Sequence, residues 1–189
     1  MSVDFEALRR CAPPAGMPFE LTRIGHVVLN VSDLQRSVAF YTGLLGFRVS
    51  DVYTEDIMPG GMVFMRCNTD HHGVALVGGL PPGRVNQDLN HLAFEVGSLD
   101  EVVRARDHLR AQGVPIDFEG RRRAGVQIAV EFRDPDGHRL EIYWGLDRIG
   151  SNGSVRPSSE WRGATSLAQA IAEPVNGQDT TLRDRSLRP

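Results

Sequence analysis

The stretch His26-Val27-Val28-Leu29-Asn30-Val31-Ser32-Asp33-Leu34-Gln35 decides the fold, because its pattern returns at His91-Leu92-Ala93-Phe94-Glu95-Val96-Gly97-Ser98-Leu99-Asp100-Glu101. Each copy starts on a histidine, continues as a strand-like apolar run and then enters a helix. Ser32 with Gln35, and Ser98 with Glu101, have the spacing of a capping box. In the first helix Leu34, Val38, Tyr41 and Leu45 fall on one face; in the second Leu99, Val102, Val103, Arg106 and Leu109 nearly do so. Gly46 and Gly113 are suited to ending these helices. Further strands follow, finishing at 73–77 in the first copy and 139–144 in the second. The expected fold is α+β: two βαβββ modules forming a curved mixed sheet around a cavity, with the helices outside.

Strand alternation sorts the side chains. Val27, Leu29 and Val31 share one face, and His26, Val28 and Asn30 the other. Leu92, Phe94 and Val96 oppose His91, Ala93 and Glu95, while Leu140 and Ile142 point away from Glu141. The apolar sets are expected on the helices and the polar sets on the concave face. His26 precedes Ala75 by 49 positions and His91 precedes Glu141 by 50, so Ala75 and Glu141 fall at equivalent places. Two histidines and one carboxylate are the ligand set of a non-haem iron(II) site with open positions. His26, His91 and Glu141 are therefore the expected metal ligands. A carboxylate between Leu140 and Ile142 is costly to bury alone, and a metal offsets that cost. Alanine at 75 leaves three protein ligands rather than four, with room for substrate.

The rest of the chain bounds the reading. Its 189 residues, 41% of them hydrophobic, suffice for one domain or two small modules sharing a core. A net charge of −3 gives no general attraction to nucleic acid or anionic membrane. All 21 basic residues are arginine, so lysine Schiff-base chemistry is excluded. Cys11 and Cys67 are too few for a disulfide framework and fit a reducing cytoplasm. No secretory pattern or membrane-length apolar run is visible. Residues 1–20 read as an irregular arm and 21–149 as the domain, with modules at about 21–80 and 88–146. Residues 150–189 read as a tail: a lid, an interface element or partly disordered. Within it, the amphipathic 166–172 stretch and Trp161 suggest docking on an apolar surface.

Longer motifs carry a resemblance. Gly25-His26, Ala39-Phe-Tyr-Thr-Gly-Leu-Leu-Gly-Phe47 and Asp134-Pro-Asp-Gly-His-Arg-Leu-Glu141 resemble the vicinal oxygen chelate superfamily, which includes glyoxalase I, bleomycin-resistance proteins and type I extradiol dioxygenases. The narrower run Phe64-Met-Arg-Cys-Asn-Thr-Asp-His71-His72-Gly-Val-Ala-Leu76 resembles the extradiol enzymes that cleave catechols such as 2,3-dihydroxybiphenyl.

That resemblance implies an Fe(II)-dependent dioxygenase of aromatic catabolism. A small aromatic diol and O2 would be its partners, and it would be a homo-oligomer. Mn(II) is an alternative metal, since both ions accept N and O ligands. His72 is implied as acid/base and Phe64 as a substrate contact; Val28 joins them on the cavity face. Counting by twos from Ala75 instead turns His71 inward, unless a bulge intervenes.

Two positions depart from the pattern. Arg122 stands where these enzymes carry a histidine after Gly-Arg, and Glu131 where they carry a tyrosine ten residues before the carboxylate ligand. Both are candidate substrate contacts. Arg122 would meet a substrate carboxylate, or else belong to a solvated loop. Within the same fold, a glyoxalase-like isomerase or lyase would want a ligand at Ala75, and a metal-free drug-binding protein would not need the three ligands.

Overall fold

The computed structural model describes residues 3–12, 23–81, 83, 89–148 and 154–189. Two modules of one design follow each other. The first runs β1 (Val27–Asn30), α2 (Leu34–Gly43), β2 (Arg48–Tyr53), β3 (Met62–Arg66) and β4 (Val74–Val77). The second runs β5 (Leu92–Glu95), α3 (Leu99–Ala111), β6 (Ile116–Arg121), β7 (Ile128–Arg133) and β8 (Arg139–Trp144). Each builds its own four-stranded mixed sheet, ordered β1-β4-β3-β2 and β5-β8-β7-β6. The expected sheet is thus divided into two. The expected irregular arm instead contains an exposed helix, α1 (Phe5–Arg9), capped by Asp4; residues 13–22 lie outside the described residues.

Register proves the repeat. In the first sheet Val28 pairs with Ala75, Ala75 with Phe64 and Phe64 with Asp51. In the second, Ala93 pairs with Glu141, Glu141 with Glu131 and Glu131 with Phe118. The two rows correspond strand for strand. Each outer strand also carries an irregularity at the same place, between Val49 and Asp51 and between Ile116 and Phe118. Ala75 and Glu141 are therefore structural equivalents, as their spacing predicts.

The apolar faces meet in one core. Ile128, Val130 and Phe132 of β7 and Leu140 of β8 are fully buried with Leu99, Val102, Val103 and Leu109 of α3. Leu29, Val31, Tyr41, Met65 and Leu76 of the first module join the same cluster. Ser98 caps α3 as its spacing predicts, through the Glu101 N–H. Ser32 does not cap α2. Asp33 does, because Ser32 is engaged elsewhere: its N–H and Oγ both bond Asp136 Oδ1.

That contact is a clasp between modules. Asp136 also accepts from Ser37 Oγ at 2.9 Å and pairs with Arg36 at 3.2 Å. Asp134 accepts from Tyr41 Oη at 3.1 Å and lies 2.8 Å from His138 Nδ1. Burial, followed by the Asp134 charge, drives the Tyr41 hydroxyl pKa far upward.

The tail packs on the second module. Ala164 forms a bridge with Arg121 on the outer strand β6, and α4 (Leu167–Ala172) buries Leu167 and Ala170. Gly120 allows this approach: a Cβ there would lie 2.2 Å from the Ala164 carbonyl oxygen, and its φ is +143°. Arg121, 2% exposed, donates to the carbonyls of Ala170, Glu173 and Arg162. A cation at the end of α4 meets both its free carbonyls and its dipole. Farther on, Asp100 accepts from the N–H groups of Arg183 and Asp184.

Candidate metal centre

Glu141 projects from the middle of β8 and is 2% exposed. Its partners among the described residues are few for a buried carboxylate: Gln127 Nε2 at 3.5 Å and His91 Nε2 at 3.4 Å. Its pKa is raised, first by burial and then by the charge of Glu131 across the ladder; Gln127, His91 and Arg122 act the other way.

His91 stands one residue before β5, not within it, and so keeps an exposed ring. Its Nδ1 is 2.8 Å from Asn90 Oδ1. An amide oxygen only accepts, so Nδ1 carries the proton. That leaves His91 Nε2 facing the Glu141 carboxylate at 3.4 Å. Two acceptors at 3.4 Å need a cation between or beside them, either a second proton on His91 or a metal ion. This donor chemistry fits a divalent ion.

His26 likewise precedes its strand, β1. It meets His72, with ring centroids 4.6 Å apart. His72 also sets its ring edgewise against Phe64 at 5.0 Å. His71 is farther from Phe64, at 6.0 Å, and its Nδ1 lies 3.0 Å from His72 Nδ1. The strand begins only at Val74, so counting by twos does not extend back to the doublet, and His72 is the one that touches His26. The His72 pKa is lowered, first by burial and then by the neighbouring His26 and His71.

Of the expected ligands, His91 and Glu141 meet in the second module, while His26 in the first meets the expected acid/base His72. Among the described residues, no three ligand-type side chains lie close enough together to hold an ion.

The remaining expected contacts line the same rows. Val28, 43% exposed, lies beside Ala75, and Phe64 beside Ala75 on the other side. Arg122 directly follows β6, its side chain 43% exposed, and it is paired rather than free. Its Nε and Nη2 both reach Glu131, at 2.7 and 2.5 Å, and its guanidinium stacks 3.7 Å over the Phe118 ring. Its charge is paired with Glu131. Gln127 escaped the sequence reading, although stepping back by twos from Glu131 reaches it on the same face.

A family model for the Glyoxalase/Bleomycin resistance protein/Dioxygenase superfamily matches residues 23–142. The chain belongs to this superfamily. Among curated members it is 34% identical over 124 residues to biphenyl-2,3-diol 1,2-dioxygenase of Paraburkholderia xenovorans, covering 64% of this chain and 40% of that one. It is 27% identical over 135 residues to the manganese-dependent 2,3-dihydroxybiphenyl 1,2-dioxygenase of Geobacillus genomosp. 3, covering 70% and 39%. The chain therefore spans about two fifths of the length of these curated relatives. The fosfomycin resistance protein FosX of Listeria monocytogenes shares the superfamily fold with a TM-score of 0.52 at 22% identity, over 67% of this chain and 96% of that one.

Proposed function

We propose that the chain is a metal-dependent extradiol dioxygenase that opens the ring of a catechol-type diol with O2. The observation that carries this is the His91 Nε2–Glu141 contact at 3.4 Å, beside a buried carboxylate with few donors. His91 and Glu141 would hold the ion, with His26 drawn in from the first module on binding, Fe(II) first and Mn(II) second; one relative is named for manganese. When bound, the ion supplies a Lewis-acidic centre that eases ionisation of a diol hydroxyl.

The chain's own groups supply the rest. Asn90 fixes the His91 tautomer, leaving Nε2 as the ligand atom. Gln127 holds one Glu141 oxygen. His71 occupies Nδ1 of His72, which leaves His72 Nε2 to take and return protons of the substrate. Phe64 and Val28 form apolar wall against an aromatic ring. Arg122 and Glu131 cancel each other, which favours a neutral diol over a carboxylated one. Ala75, at the place equivalent to Glu141, cannot add the further ligand that a glyoxalase-like isomerase would want.

Cytoplasmic location belongs to the same proposal, and exposed unpaired Cys11 and Cys67 suit a reducing compartment. No helix among the described residues is long and apolar enough to cross a membrane. Self-association is also proposed, with exposed Val49, Val52 and Tyr53 on the outer strand β2 in its support.

The test is reconstitution. Protein loaded anaerobically with Fe(II) should turn neutral catechols into a yellow ring-opened product on admitting air. His26→Ala should lose metal and activity together, and His72→Ala should keep metal while losing kcat. Absence of both metal binding and turnover in the unaltered chain would refute the proposal.

A further inference from the structure

The tail beyond the matched stretch reaches back to the backbone flanking the candidate metal centre. We propose that Gln178 is a positioning residue for Glu141, acting through the turn that carries Gln127; this rests on the metal-centre reading above. Gln178 Nε2 donates to Val126 O at 2.9 Å and to Gly145 O at 3.4 Å. Val126 immediately precedes Gln127 before β7, and Gly145 directly follows β8, the strand of Glu141. One amide group therefore ties together the two backbone segments that set Gln127 against Glu141.

Three observations say that this tie is built for the purpose. Val126 has φ +52° and is 1% exposed. A β-branched residue in the left-handed region is strained and persists only where its surroundings hold it. Gly145 leaves the space, since a Cβ there would lie 3.2 Å from Gln178 Nε2. Gln178 Oε1 is buried without a hydrogen-bond partner among the described residues, so the amide is placed for its donors. The tail holds Gln178 still: Val175 is buried beside it, its N–H bonds Val175 O, and Thr180 Oγ1 bonds Ile171 O. From Val126 the restraint passes to Gln127, whose backbone oxygen accepts from the Arg122 N–H at 3.0 Å and whose Nε2 reaches Glu141.

The test compares Gln178→Met, which keeps length but loses the donors, with Thr180→Val, which loses a tail hydrogen bond away from the turn. Titration of the metal-free protein with Mn(II) should give an affinity about tenfold weaker for Gln178→Met, the low end for residues that orient ligands. In the Fe(II)-loaded enzyme kcat should fall while KM for a catechol holds. Thr180→Val should match unaltered protein in both readouts. Amide hydrogen exchange on the metal-free chains adds a readout independent of metal: only Gln178→Met should speed exchange at Arg122. Unchanged exchange there, or equal effects of the two variants, overturns the proposal. An unaltered chain that binds no Mn(II) overturns the metal-centre reading, and with it the role assigned to Gln178, while the exchange data report separately whether the tail restrains the turn.

Discussion

Glu131 and Glu141 stand opposite each other on adjacent strands, and like charges there repel. Arg122 makes the arrangement tolerable, with its ion pair half in solvent and half in the cavity wall. Arg122→Ala should leave Glu131 buried beside Glu141 at a cost of about 2 kcal/mol, the usual penalty for a stranded buried polar group. Urea unfolding should register that loss, and Arg122→Ala with Glu131→Gln should recover part of it; no loss would mean that water reaches Glu131 freely. Residue type, strand alternation and the repeat spacing together selected His91 and Glu141 from the sequence. Type could not reveal that Arg122 is already neutralised, because Glu131 is nine positions away and meets it only through the β6–β7 register. Gln178 was less legible still: it lies in a polar tail without periodicity, and only the fold carries it to Val126.

The alternation within β7 and β8 and the buried stripe of α3 were legible because a period of two or 3.6 is imposed by the backbone itself. The 134–138 turn was legible as a motif but not in its role, since its partners on α2 lie about a hundred residues earlier. Asp136 carries that role, with a side chain 3% exposed. Burial alone would raise its pKa, but hydrogen bonds from Ser32 and Ser37 and the Arg36 charge outweigh it, and the net shift is downward. A carboxylate depressed in the folded state stabilises the fold fully above its unfolded value of about 3.9, and that stability drains away as pH falls through the folded value. The clasp should therefore fail only in acid, below about pH 4. Asp136→Asn should lower the melting temperature at pH 7 and flatten its fall below pH 4. An acid limb identical to that of the unaltered protein would remove Asp136 from the account.

One core spans both modules, so the molecule should unfold in a single transition. The candidate ligands are nonetheless divided, with His26 on the first module and His91 and Glu141 on the second. A metal binding all three would act as a staple across the same boundary that the Asp136 clasp holds. Binding and docking are then linked: whatever loosens the boundary must weaken the metal, and the metal must stabilise the boundary. At a free Mn(II) concentration of 100 Kd the gain is about 2.7 kcal/mol, read as a rise in melting temperature of the whole molecule. Asp136→Asn touches no proposed ligand, yet it should bind Mn(II) more weakly, because part of the binding energy is used to restore the boundary. His26→Ala removes the link itself. In that background Asp136→Asn should leave whatever affinity remains at His91 and Glu141 unchanged. Measuring Mn(II) affinity in the unaltered chain, both single variants and the double variant gives the coupling directly. A coupling of zero would mean that the second module binds the ion alone and that His26 serves only to seat His72.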